Sequence, residues 1–375
     1  MEKTKRNPNF ELLRIVAMLM VISLHYLGKG GLLILPHEEG YLPVNTTLAQ
    51  FLEALAYPAT NLYVMITGYF CVKSSFKIER IVKIWIQVFT YSFGIFLIML
   101  LIGRITIGDI SDIYQFALYA LPITSRHYWF ATFYLVFYLI SPFLGKMITK
   151  LSQTAHFTLM IVLIVLFSKL IPNVVYTAYS WDDTGAGIAW FVVLFVISSY
   201  ISLYVPEDNK KLKYICVPVV CAILSVANLW IFTFISEKTG KLVGLVSRPY
   251  NYNSLLTLIS SVAIFMFFRN LKIKEGAFAN VVRFVSPLTF GIYLIHEHDL
   301  VRGFWNEIMC VSWHGDKPYM LIHFAVSVAL VFVVCAIIEL GRKTVTDLIF
   351  KIPPIKFLMN KLSKVDRFFN AERED

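Results

Sequence analysis

Apolar residues in this chain come in continuous blocks, and about twenty in a row are what a helix needs to cross ~30 Å of hydrocarbon. The blocks predict ten spans, at roughly residues 10–29, 51–72, 84–103, 127–145, 157–172, 187–205, 214–235, 252–269, 284–301 and 319–340. They do not alternate with period two, which excludes a transmembrane strand barrel. The expected fold class is an all-α polytopic membrane protein with about ten transmembrane helices. Two other segments do not span. Residues 104–126 mix polar and apolar positions and are expected at the outer interface. Residues 355–369 set Ile355, Leu358, Leu362, Val365 and Phe369 at helical spacing opposite Lys356, Lys361 and Lys364, a basic amphipathic helix for the inner leaflet. The chain therefore reads as a transmembrane domain, 1–340, and a cytoplasmic amphipathic tail, 341–375. No internal repeat, low-complexity tract or attached soluble domain interrupts it.

Composition agrees with this pattern. The 375 residues are 58% hydrophobic and 15% charged, where a soluble domain is nearer half and a quarter. The net charge of +10 raises the question of nucleic acid, but the cations sit in short loops between apolar blocks. Counted by side, 24 Lys and Arg fall with the termini and 8 on the opposite face. That asymmetry puts both termini in the cytoplasm. Membrane lipid is the expected partner and nucleic acid is not. Cys71, Cys216, Cys221, Cys310 and Cys335 form no CxxC motif and read as small apolar residues. Lys3, Lys5 and Arg6 ahead of an apolar run mimic a signal peptide, but no small-x-small cleavage site follows, so the run is read as the first helix.

The polar residues kept inside these blocks carry the chemistry. Arg14 and His25 are eleven residues apart, within about 20° of three full turns, so they share one stripe ~16 Å apart along the axis. Glu11 can pair with Arg14. Snorkelling of Arg14 and an interhelical hydrogen bond from His25 are the structural alternatives, but an ionisable residue inside a membrane span usually marks function. Gly68 in "NLYVMITGYF" permits close helix contact. Lys73, Lys77, Arg80 and Lys83 follow it. They are either topology determinants or, for Arg80 and Lys83 one turn apart, a grip on phosphate. Arg126, His127 and Trp129 open the fourth block, where an interfacial anchor is the competing reading of Trp129. His296 lies in the ninth block, followed by Glu297, His298 and Asp299. The run resembles a metal cluster, but neighbours in sequence point around a helix and no HExxH is present, so no metal is expected. The outer loop "YTAYSWDDTGAG" offers Tyr176, Tyr179, Trp181, Asp182 and Asp183 to a sugar ring, or to the interfacial belt.

Taken in order, "FELLRIVAMLMVISLHY", "NLYVMITGYF", "KIERIVK", "HYWFATFYLVFYLISPF" and "FGIYLIH" resemble the acyltransferase-3 family of membrane O-acyltransferases, over about residues 8–340. The resemblance implies an O-acetyltransferase of the bacterial plasma membrane that moves an acyl group, usually acetyl, from cytoplasmic acetyl-CoA to an envelope polysaccharide or lipid-linked glycan. It implies Arg14 and His25 as the functional pair of the first helix, Arg80 as a contact of the CoA phosphates, and Trp129 and His296 as further family positions. Two motifs differ from the family pattern. The basic motif ends in Lys83 where Arg is common, and Thr67 precedes Gly68 where Ser is common. No extracellular esterase domain follows, so transfer is expected to finish in the membrane domain or on a separate partner.

Transfer from a thioester to a hydroxyl needs a base, donors for the oxyanion and an anchor for CoA. His25 suits the base, since neutral imidazole titrates near physiological pH. Arg14 suits the CoA pyrophosphate or thioester, and Arg80 with Lys83 the remaining phosphate. His296 would orient His25 or act as a second base, and Trp129, Trp181, Asp182 and Asp183 would bind the acceptor. Two other functions stay open at this point: a transporter or flippase for a lipid-linked glycan, and a glycan polymerase.

Overall fold

The first helix, α1 (Pro8–Lys29), starts where the Asn7 side chain accepts the Asn9 amide at 2.9 Å and Pro8 fills the first helical position. Proline costs nothing there because that amide has no intrahelical partner. The computed structural model describes residues 6–33, 44–105, 113–169 and 184–370. Among these, every regular element of more than one residue is helical.

After α1 come α2 (Val44–Ala56), α3 (Ala59–Cys71), α4 (Ile78–Leu101), α5 (Ile113–Ala120) and α6 (Trp129–Thr149). Then follow α7 (Gln153–Phe167), α8 (Ile188–Tyr204), α9 (Lys211–Thr239) and α10 (Leu255–Arg269). The remainder is α11 (Ala277–Val285), α12 (Thr289–His296), α13 (Asp299–Ile308), α14 (Val311–Gly315), α15 (Met320–Ile349), α16 (Pro353–Leu362) and α17 (Lys364–Asn370). Six helical stretches are long and apolar enough to cross a membrane: α1, α4, α6, α9, α11 continued by α12, and α15. Three shorter apolar helices, α7, α8 and α10, join them. Helices α4, α9 and α15 turn large apolar side chains outward, among them Ile98, Leu101, Ile223, Phe234, Ile322 and Ile337. In water such a girdle would be costly, but against lipid it costs nothing.

Several boundaries depart from the apolar blocks. The single span expected at 51–72 is two helices, because Pro58 cannot continue the α2 hydrogen-bond ladder and restricts Tyr57 before it. Helix α4 begins at Ile78 rather than near residue 84, so Arg80 and Lys83 lie on its first turns and not in a loop. The ninth span ends at His296, and Glu297 and His298 form a turn before α13. Helix α15 continues beyond residue 340 to Ile349, so the first part of the expected tail prolongs the last span. Helix α6 runs through Pro142, and the Ser141 hydroxyl donates at 2.8 Å to the Tyr138 carbonyl that the proline leaves without its amide.

The interior is built around α1 and α8, whose Leu13, Ile22, Tyr26, Trp190, Phe191 and Phe195 are fully buried. Gly68 on α3 makes the close contact that the sequence suggested: a Cβ there would lie 2.2 Å from Ser198 Oγ and 3.0 Å from Phe195 Cα on α8. Gly291 plays the same part for α12. A Cβ at that position would fall 2.3 Å from the carboxylate of Glu339 on α15. That carboxylate is 1% exposed yet satisfied: it accepts from Tyr91 at 2.6 Å, Gln87 at 3.0 Å, and two Arg342 nitrogens at 2.7 Å.

The amphipathic segment forms α16 and α17 and docks on the protein near the start of α4. Asp366 accepts the Ile78 amide at 2.7 Å, Asn370 exchanges hydrogen bonds with the Phe76 backbone, and Phe369 stacks on Phe76 at 4.2 Å. Phe357, Leu358 and Phe368 stay exposed on the other side. The segment thus has one apolar face for the protein and one for lipid.

Candidate active site

The stripe read from the first helix faces a cavity. Met18, Val21 and His25 of α1 line a space of about 520 Å³, together with Glu53, Tyr57, Tyr63, Trp129, Tyr252, Tyr293, Glu297 and Arg302. That volume is in the range of small-ligand sites. Arg14, one turn before Met18, lies at the foot of the stripe. Its guanidinium pairs with Glu11, and its carbonyl accepts the Tyr63 hydroxyl at 2.7 Å.

At the far end, His25 meets His296 with ring centroids 5.0 Å apart. Its Nε2 lies 3.1 Å from Oε2 of Glu297, whose Oε1 accepts Arg302 at 2.8 Å. His296 is fixed from behind. Its Nδ1 donates to the Ile292 carbonyl at 2.6 Å, because a carbonyl can only accept, and its own carbonyl accepts the Trp305 indole at 3.2 Å. The lone pair of His296 is therefore on Nε2.

Among the described residues, four buried polar atoms in or beside this cavity have no hydrogen-bond partner: His25 Nδ1, His296 Nε2, the Tyr293 hydroxyl, and Glu297 Oε2, which faces His25 Nε2 without hydrogen-bond alignment. Leaving such a group unsatisfied costs about 1–3 kcal/mol. Their gathering in one place marks the wall a polar ligand would meet. Opposite them, Trp129, Tyr57 and Tyr252 form an aromatic side. Tyr252 lies 5.6 Å from Trp129 and 5.3 Å from Tyr57, centroid to centroid. Asn61 steadies it by donating to the Tyr252 carbonyl at 2.9 Å while accepting the Trp190 indole at 3.0 Å.

Of the residues singled out in the sequence, His25, His296 and Trp129 come together here, with Arg14 farther down the stripe. Arg80 and Lys83 do not line the cavity. They sit at the start of α4, where Arg80 lies 6.0 Å from the Tyr138 ring centroid and Lys83 pairs with Glu79 at 2.5 Å. Trp181, Asp182 and Asp183 lie outside the described residues. The sequence offers Glu297 only within a metal-like run, and no pattern in it marks Arg302, Glu53, Tyr57 or Tyr252. Arg302, five residues past Glu297, was the one available clue to an ion pair.

A helical bundle with an apolar girdle, enclosing a cavity lined by His25 and an Arg–Glu pair with His296 packed behind His25, defines a membrane protein with an internal polar site. The family model described as an acyltransferase domain matches residues 7–340. The chain belongs to that family, acyltransferase-3, and is a membrane acyltransferase. No curated protein and no solved structure matches it.

Proposed function

We propose that this acyltransferase moves an acetyl group from cytoplasmic acetyl-CoA to a hydroxyl of an envelope polysaccharide or lipid-linked glycan in a bacterial plasma membrane. Ten crossings, with α2 and α3 and likewise α11 and α12 each taken as one, would return both termini to the cytoplasmic side, in line with the cation asymmetry.

The observation that carries the reading is the single stripe of α1, with Arg14 at one end and the His25–Glu297–Arg302 group at the other. His25 removes the proton of the acceptor hydroxyl as that oxygen attacks the thioester carbonyl. Glu297, steadied by Arg302, holds the imidazole ring and stabilises the imidazolium that forms, the role a carboxylate plays behind a catalytic histidine elsewhere. CoA leaves as the thiol once the tetrahedral intermediate collapses, taking up the proton held by His25. Arg14 holds the donor's phosphates or thioester. Arg80 and Lys83 attract the donor from the cytoplasm, and His296 orients His25. Trp129 and its tyrosine neighbours stack on the apolar face of a sugar ring, with Trp181, Asp182 and Asp183 as further acceptor contacts.

Purified protein given radiolabelled acetyl-CoA and acceptor glycan tests the reading. Release of free CoA together with label on the glycan is the expected result. Glycan movement or elongation without CoA release would support a transporter or polymerase instead.

A further inference from the structure

A second histidine cluster lies apart from the cavity. His127, in the turn before α6, meets His298 and Asp299 at the start of α13, across 171 residues of sequence. We propose that His127 Nε2, His298 Nδ1 and Asp299 Oδ1 bind a divalent transition-metal ion of the zinc class. This goes against the expectation of no metal, which considered only neighbours in sequence.

Three features carry the proposal. First, His298 is fully buried, and its Nε2 faces the Ser92 carbonyl at 3.2 Å. A carbonyl only accepts, so this nitrogen bears the proton and Nδ1 presents its lone pair. Donation from the far nitrogen to a backbone carbonyl is how metal-binding histidines are usually oriented. Second, that lone pair lies 3.0 Å from Asp299 Oδ1, so two acceptors face one another. The Leu300 amide caps His298 Nδ1 at 3.2 Å and also reaches Asp299 Oδ1 at 2.8 Å, so a bound ion would replace that weaker bond at Nδ1 while the amide kept its carboxylate partner. Third, His127 has a side chain only 4% exposed, and its Nε2 has no hydrogen-bond partner among the described residues. It points at the same Asp299 oxygen from 3.7 Å, too far for a hydrogen bond.

The spacing suits a tetrahedral ion. Zinc bonds of about 2.1 Å put neighbouring ligand atoms about 3.4 Å apart. The two separations here are 3.0 and 3.7 Å, and all three atoms lie within 4.8 Å of one another. The second carboxylate oxygen is held by the Tyr119 hydroxyl at 3.0 Å. Asp299 is 40% exposed, which leaves room for water as fourth ligand. Two imidazoles and a carboxylate favour zinc over calcium or magnesium. Bound there, the ion would brace the turn ahead of α6 against the turn of Glu297 and His298 that follows His296. The Tyr128 hydroxyl already reaches the same region by donating to the Leu294 carbonyl at 2.8 Å.

The test uses tag-free full-length protein, stripped with a chelator and titrated with zinc against a chromophoric competitor. Cobalt substitution is read by its visible spectrum. One equivalent of zinc and a four-coordinate cobalt spectrum are expected. His127→Ala and Asp299→Asn should each weaken zinc at least ~10-fold, and Tyr119→Phe by about as much through the carboxylate it orients. His323→Ala, which disturbs the stacked His314–His323 pair, should leave binding unchanged. Wild-type protein that takes up no zinc overturns the proposal and leaves a His298–Asp299 ion pair. So does zinc that survives loss of His127 but not of His323. Should the ligand variants fail to fold, the wild-type cobalt spectrum decides alone, because a six-coordinate or absent signal refutes the site.

Discussion

His25 Nε2 lies 3.1 Å from a carboxylate oxygen of Glu297, and Glu297 is in turn held by Arg302 at 2.8 Å. This sets an imidazole, a carboxylate and a guanidinium in a row, although His25 comes from α1 and the other two from the turn before α13 and from α13 itself, near the other end of the sequence. His25→Ala should lower transfer by about 10²–10⁴-fold, the usual contribution of a general base. Expression and donor binding should stay near normal. Glu297→Gln should cost less, since it keeps the shape and removes only the charge. Label transfer at saturating donor measures both. A His25→Ala protein as fast as wild type would make this histidine a packing residue.

Arg14 lies below the cavity and should act earlier in the reaction. Arg14→Ala is expected to weaken donor binding as well as turnover. Arg14→Lys should recover part of the binding if charge alone matters, and little if the grip is bidentate. Isothermal titration with acetyl-CoA separates the two, and unchanged affinity in both variants would remove Arg14 from the donor site.

Changing Arg80 and Lys83 together to Gln should raise the KM for acyl-CoA severalfold with a smaller change in kcat, because contacts remote from the carbonyl contribute uniform binding. Lys83 already has a partner in Glu79, so Arg80 is expected to carry most of the effect. An unaltered KM in correctly inserted protein would reduce the pair to topology determinants.

Glu339 gives a prediction about stability. Glu339→Ala leaves Arg342 partly buried without its carboxylate, and breaking a buried pair costs about 3–5 kcal/mol. Gly291→Ala pushes a methyl group into the same carboxylate and should destabilise by about 1–3 kcal/mol. Thermal unfolding in detergent reads both. A Gly291→Ala protein as stable as wild type would mean that α12 and α15 separate more easily than their packing indicates.

Reporter fusions after Lys77, Lys211 and Lys274 should read cytoplasmic, and one near Asp316 external. An external signal at Lys77 would contradict the orientation proposed for the donor side.

How much of this could be read in the sequence depended on distance along the chain. The Arg14–His25 stripe and the close contact at Gly68 were legible because helical geometry over a few turns fixes them. The break at Tyr57–Pro58 was available in principle but lay hidden within an apolar block. Arg80 and Lys83 looked like loop residues because charge interrupts the hydropathy signal, although helix α4 starts before them. His127 with His298, and His25 with Glu297, were out of reach, since pairings across more than a hundred residues leave no periodic trace in one chain. The sugar-binding role given to Trp181, Asp182 and Asp183 concerns residues outside those described.

On the proposed reading, the interval between Arg14 and His25, ~16 Å along one rigid helix, acts as a ruler. An anchor at one mark and a reaction at the other select donors by the length of the arm joining their phosphates to their acyl group. A short thioester or acetyl phosphate could reach His25 only by giving up the anchor. On the proposed reading, any residual transfer from such donors should still depend on His25 but no longer on Arg14.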